Sequence, residues 1–518
     1  MRTKLPFLVL AGFAVFWFAF FAFSSPIFGG TDVFIFRDAS CNCASHLGFV
    51  TSSAPTHPAY IPPVLFADYT PGALIAFVPA ARIFGCTPYA HTYYELLLLL
   101  LIACFVVAFV PDGEQHRGQR MFAAVLVGIT LPVGLFETGI DRPEPVAIIL
   151  FFALLMFWRR ARGVWGRALI AGLAGSLFLV HPYMGIAAYL LFLLMVLRSR
   201  EFTGRLKIVL GSFAVVVASV LAWTMVLDHA DPSALHRFME HALGARSGVG
   251  VVLMGGSEAG SHAGFLYSYL AIFRKYADNS NRLRVIAIAV LLISFAILGL
   301  ATVRIADGNR RRPAFGTLVA LFGILVLFPA AVFAGQVNYF VASEALLFGT
   351  VAVGGYTLSD EIRKGRALIL LLAVCAIACL PNLVIQTLRS AETRVSFARA
   401  VAQEARVRQA LRARGLNEPR ILIDAPHYFI YKPDFHYLYD SSYFAPDDSL
   451  RDFDALVRCY MTHPAFSRSA LSWDKPFNQQ DWELVDGDVF PEAITLFGRR
   501  LMRNNWSWSC DVYARKKA

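Results

Sequence analysis

The residues able to do chemistry collect in a few places. GGTDVFIFRDAS, residues 29–40, carries Asp32 and Asp38 just beyond a long apolar run, separated by VFIFR, which reads as a short extended stretch. A carboxylate there can take the proton from an acceptor hydroxyl, or bind a divalent ion beside a phosphate. A turn-forming aspartate is the plainer alternative. FETGIDRPEP, residues 136–145, places Glu137, Asp141, Arg142 and Glu144 at a turn between two apolar runs. Ionisable groups at a span end are costly unless they pair or face a wet cavity. Glu137 and Asp141 would share a helix face, and Pro143 would restart the next helix with Glu144 in its first turn. Arg142 suits a phosphate or carboxylate. A salt-bridged turn is the alternative, although four charges exceed what so short a turn needs. HPYMG, residues 181–185, sets His181 where it could hydrogen-bond a phosphate or sugar hydroxyl, or simply cap a helix. Loop 228–283 adds His236, His241, Glu258, His262, Tyr267 and Tyr269. It includes the glycine-rich GVGVVLMGGSEAGSHAGF, the composition of a segment that orders over a ligand. No Walker A, GxGxxG, HExxH or GxSxG occurs, which argues against an ATP-driven pump or an enzyme using nucleotide sugars inside the cell.

The elements that must position these residues are apolar runs. Hydrophobic residues make up 57% of the 518, with 44 Phe. A span needs about 20 apolar residues. The pattern predicts an all-α polytopic membrane protein with about 11 spans: 5–23, 92–110, 121–138, 145–158, 168–181, 184–197, 208–227, 284–302, 315–334, 338–355 and 367–385. With the N-terminus in the cytoplasm, every inner connection is rich in Lys and Arg, while the short outer ones hold Arg142 alone. The outer pieces are then loops 24–91 and 228–283 and the tail 386–518. Residues 70–90, interrupted by Pro71, Pro79 and Pro88, read as one or two interfacial helices. The start resembles a signal peptide, but it lacks a small-x-small cleavage site and reads as a retained first helix.

Two domains follow: 1–385, which spans the membrane, and 386–518, a small extracytoplasmic α/β unit. In the tail, residues 392–414 repeat apolar side chains near helical spacing, with Gly415 and Asn417 as stop signals. RILIDAP, residues 420–426, reads as a strand and YFIYK as a further β-prone piece; ITLFGRRL and WSCDVYAR read as strands or short helices. Cys459–Cys510 is the expected disulfide, with Cys86 pairing to Cys41 or Cys43 as a second. The net charge of +11 is largely cytoplasmic-loop excess and comes with no nucleic-acid recognition motif. A basic helix beside the membrane favours acidic membrane lipids or an anionic, lipid-linked substrate.

This arrangement resembles the bacterial integral-membrane glycosyltransferases of the C-type fold, which use polyprenyl-phosphate sugars. The resemblance implies a catalytic aspartate in the first outer loop, here Asp38 or Asp32, with surface helices at 70–90 and a soluble domain at 386–518. It implies that Glu137, Asp141, Arg142, Glu144 and His181 bind the donor phosphate, sometimes through a divalent cation such as Mg or Mn. His262 and Tyr267 complete the expected substrate contacts. The paired Asp-Glu often found in that loop is absent, since Ala39 and Ser40 follow Asp38. The expected activity is transfer of a sugar to a lipid-linked or polymeric glycan acceptor on the outer face of the bacterial cytoplasmic membrane, in cell-envelope biogenesis. A polysaccharide polymerase or ligase using Arg237, Arg246 and His262, or a lipid-linked glycan flippase, are the alternatives.

Overall fold

The computed structural model describes residues 4–23, 31–51, 64–66, 71–109, 143–160, 163–181, 202–243, 397–435, 437–440, 450–463, 466–470, 480–487, 495–496, 499–500 and 508–516, with isolated positions between 120 and 128 and at 185 and 394. Predominantly apolar stretches form most of the helices: α1 (Leu5–Phe23), α2 (Thr31–Ala44), α3 (Pro71–Phe84), α4 (Pro88–Phe109), α5 (Glu144–Arg160), α6 (Gly163–Val180), α7 (Phe202–Ala230) and α8 (Pro232–Leu243). Pro71, Pro88 and Pro232 each open a helix, where a missing N–H costs nothing. Pro79 lies inside α3.

Two expectations need correction here. Among the described residues, three helices are long and apolar enough to cross a membrane, at Pro88–Phe105, Gly163–Val180 and Leu206–Ala230, rather than about 11. The reason is visible in Leu5–Phe20 and Pro145–Leu154, whose apolar parts fall short of a full crossing. Runs 184–197, 284–302, 315–334, 338–355 and 367–385 lie outside the described residues, as does most of 121–138. The second correction is VFIFR, which is helical within α2; helical pairing wins over the β preference of Phe and Ile. The helices at the 14-residue runs 145–158 and 168–181 are longer than those runs, at 17 and 18 residues.

Packing follows the apolar faces. Phe36 and Ala39 of α2 join Phe66 of the segment before α3, Leu74 and Phe77 of α3, and Leu98 of α4, in one buried cluster. Leu154, Ile170, Ala174 and Ile208 tie α5, α6 and α7 together, and Leu227, Ala234 and Phe238 fold α8 against α7. Gly72 permits a close approach between helices: a Cβ there would sit 2.7 Å from the Leu179 backbone of α6. Outward, α7 shows Leu210, Phe213, Val217, Leu221 and Met225, an apolar face suited to hydrocarbon.

The C-terminal part is a mixed α/β unit. Helix α9 (residues 397–413) ends at Gly415, whose φ of 79° needs no Cβ. The Gly415 N–H bonds the Arg412 carbonyl and the Leu416 N–H bonds the Leu411 carbonyl, a Schellman ending. Then come β3 (Ile421–Ile423), α10 (Ala425–Tyr431), β4 (Leu438–Asp440), β5 (Ala455–His463), β6 (Phe466–Ala470), β7 (Trp482–Gly487), a β8–β9 hairpin (Thr495–Leu496, Arg499–Arg500) and β10 (Trp508–Arg515). The main sheet runs β4-β3-β5-β10-β7, with β6 on the later half of the β5 edge that β3 uses. β3 is parallel to β4 and β5, with Ile421 opposite Leu438 and Ala455; β10 is antiparallel to β5 and β7. Alternation splits the sheet's faces. Ile421, Ile423, Val457, Val512 and Ala514 meet α9 and α10, while Leu422, Leu456 and Tyr513 meet Tyr439, Phe453 and Trp482. YFIYK is therefore helix α10 and not a strand.

Candidate active site

Asp38 lies on α2 with no exposed surface. Asn42, one helical turn on, donates from Nδ2 to Asp38 Oδ2 at 3.2 Å and to the Val50 carbonyl at 2.8 Å, fastening α2 to β1 (Val50–Thr51). Thr51 donates its hydroxyl to the same Oδ2 at 3.2 Å. Pairing with β2 (Val64–Leu65), Val50 opposite Leu65 and Thr51 opposite Val64, holds the Thr51 backbone in place. A disulfide from Cys41, three residues after Asp38, to Cys86 fixes α2 to the α3–α4 connection.

The other oxygen is met from the far end of the chain. Tyr428 donates its hydroxyl to Asp38 Oδ1 at 2.8 Å, and Lys432 Nζ approaches the same oxygen at 2.9 Å with 8% of its side chain exposed. Tyr428 and Lys432, four apart, share the face of α10 that looks toward α2. The Arg37 guanidinium lies 4.6 Å above the Phe429 ring, and Tyr89 at the start of α4 packs edge-on against Phe397 of α9. The acid, the lysine and the phenol thus form one buried group across the junction of α2 and the C-terminal unit.

Local sequence explains α10. Asp424 takes the extended conformation of an N-cap and Pro426 sits in the first turn. The Asp424 carboxylate makes no capping bond and instead accepts the Cys459 N–H at 2.6 Å, anchoring the helix start to β5. Behind it, His427 is buried and stacked on Tyr431, and its Nδ1 has no hydrogen-bond partner. Burial pushes the His427 imidazole down to about 3, so it is neutral. Burial also raises the Tyr431 phenol well above its usual value, helped by Glu404 and Asp486 and opposed by Arg406.

The other expected residues fall as follows. Asp32 is in the first turn of α2 and Glu144 is the first residue of α5, as the Pro143 restart predicts; their side chains lie outside the described set. His181 is buried at the end of α6, its N–H bonded to the Leu177 carbonyl at 3.0 Å. Glu137, Asp141, Arg142, His262 and Tyr267 lie outside the described residues. Sequence reasoning missed Asn42, Thr51, Tyr428 and Lys432. The four-residue spacing of the last two was the available signal, hidden by reading YFIYK as extended.

An Mg or Mn ion does not fit the described surroundings of Asp38. Asn42, Thr51 and Tyr428 each donate to the carboxylate, and the ammonium ion of Lys432 stands against it. At about 4 Å and an effective dielectric of 20, unit charges interact by about 4 kcal/mol, and a divalent ion would meet roughly twice that repulsion. A different group could hold a metal: ligand atoms of His427, Cys459 and Cys510 lie within 4.8 Å of one another, all buried. Its nitrogen and sulfur donors suit zinc rather than magnesium or manganese. The two cysteines are joined as the expected disulfide, and thiolate ligation requires that bridge to be reduced.

No family model matches the sequence, and no curated protein matches it. Among solved structures, the chain is similar to the crystal structure of the Archaeoglobus fulgidus oligosaccharyltransferase in complex with Zn and sulfate, with 12% of residues identical, a TM-score of 0.43, and coverage of 92% of this chain and 74% of that one.

Proposed function

We propose that this chain transfers a sugar from a polyprenyl-phosphate donor to an acceptor hydroxyl of a cell-envelope glycan or glycolipid, at the outer face of the bacterial cytoplasmic membrane. The observation that carries the reading is Asp38, a buried carboxylate at the membrane helices' junction with an α/β unit, facing a lysine and a phenol. In the reaction, the acceptor oxygen forms a bond to the anomeric carbon as the bond from that carbon to the phosphate oxygen breaks. The bonding pair leaves with the phosphate, and the acceptor's proton passes to the Asp38 carboxylate. The Tyr428 hydroxyl, donating to Oδ1, marks where an acceptor hydroxyl would hydrogen-bond. Asp32 is the reserve base. Glu137, Asp141, Arg142, Glu144, His181, His262 and Tyr267 are proposed to line the donor and acceptor subsites, with residues 1–385 as the membrane domain and 386–518 as the outer one.

The test follows polyprenyl-phosphate sugars in extracted lipids on addition of detergent-purified protein, comparing wild type with Asp38→Asn and Glu137→Gln. Turnover by wild type, lost in a still-folded Asp38→Asn protein, is expected. Undiminished turnover in that variant moves the base to Asp32 or to residues 137–144. An inactive wild type removes the transferase reading.

A further inference from the structure

We propose that Lys432, brought in by the C-terminal unit, is the cation that binds the oxyanion of the donor's phosphate beside Asp38, where a divalent metal ion would otherwise be needed. This deepens the proposed transfer reaction and rests on it. An ammonium group has three N–H donors. One meets Asp38 Oδ1 at 2.9 Å, and the Tyr428 ring lies beside the ammonium with its centroid 5.7 Å from Nζ. Two donors therefore remain for phosphate oxygens, on a side chain that is almost entirely buried. Lys432 keeps 8% of its side chain exposed and Asp38 none, so the pair is approached from the lysine's side. Desolvation strengthens a charge-assisted bond to phosphate.

The placement serves the chemistry of transfer. As the bond between anomeric carbon and phosphate oxygen breaks, negative charge grows on the phosphate, and a fixed ammonium stabilises it without reorganising. The same lysine touches the carboxylate that accepts the acceptor's proton, so one residue sets base and leaving group in a common frame. Lys432 stands at the C-cap of α10, where its N–H bonds the Tyr428 carbonyl at 2.9 Å. Its backbone is thereby fixed to the residue that also meets Asp38.

The experiment uses the full chain in detergent, with farnesyl phosphate as probe and binding measured by calorimetry in EDTA and again with Mn²⁺. Wild type should bind in EDTA, with no gain from Mn²⁺. Lys432→Met should bind at least about tenfold more weakly, and Lys432→Arg should recover most of that loss. Asp38→Asn should bind as well as wild type or better, because it removes a competing negative charge while leaving the ammonium in place. A merely structural role for the ion pair would weaken both variants, and a metal bridged through Asp38 would make Asp38→Asn the damaging one. Either result, or binding that needs Mn²⁺, overturns the proposal. Sugar turnover is scored separately: binding without turnover removes the transfer reading and leaves the phosphate site, while turnover with unchanged binding in Lys432→Met does the reverse.

Discussion

Acid should loosen the C-terminal sheet through His427. The imidazole is fully buried, stacked on Tyr431, and pushed from 6.5 to about 3 by the loss of hydration around its charged form. In the unfolded chain it takes up a proton near its ordinary value; in the folded chain it does not. The stabilisation is therefore complete above 6.5 and is lost as pH falls toward 3. At about pH 5 the unfolded form gains a factor of roughly 30 from protonation, or about 2 kcal/mol, and about 3 kcal/mol near pH 4. Glu404 works in the opposite sense, because burial raises its carboxyl while Arg408 opposes the rise. The comparison must therefore be with a chain lacking only His427, and His427→Phe keeps an aromatic ring against Tyr431. The assay is hydrogen–deuterium exchange of the β5 and β10 amides in the full-length protein, converted to opening free energies between about pH 7.5 and pH 5. Wild type should lose about 2 kcal/mol more than His427→Phe over that interval. Parallel pH dependences, or a His427 ring titrating near its ordinary value by NMR, would refute the reasoning.

Two further outcomes concern the Cys459–Cys510 bridge and Gly72. The Cys459–Cys510 bridge closes a separation of 51 residues, so replacing both cysteines by serine should cost the C-terminal unit about 4 kcal/mol by loop entropy, read in the same exchange experiment. Gly72→Ala should separate α3 from α6, since its methyl would meet Leu179 backbone atoms that cannot rotate away. A loss of about 1–3 kcal/mol in thermal unfolding is expected, while Gly12→Ala, with open space around it, should be silent.

Some of this was legible in the chain. Gly415 as a stop, β3 within RILIDAP and β10 within WSCDVYAR follow from local signals that tertiary packing did not override, and the bridge from Cys459 to Cys510 from two cysteines in one outer unit. Asp38 could be singled out as an acid in an apolar setting. Its surroundings could not, because Tyr428 lies 390 residues away and no local pattern reports such a pairing. VFIFR and YFIYK misled for one reason: β-prone aromatics dominate both, while the decisive facts were i,i+4 partners, Asp38 with Asn42 and Tyr428 with Lys432. The span count erred because apolar composition was treated as membrane-crossing length, which Pro145–Leu154 does not have.

The 390-residue interval between Asp38 and Tyr428 also sets a timetable. At roughly 5–20 residues per second, the ribosome needs on the order of 20–80 s to travel from one to the other. Throughout that time α2 already carries its acid, held only by partners made early, such as Asn42 and Thr51. A chain interrupted before α10 thus has a carboxylate without its lysine, and the ion pair is a signature that synthesis has passed α10.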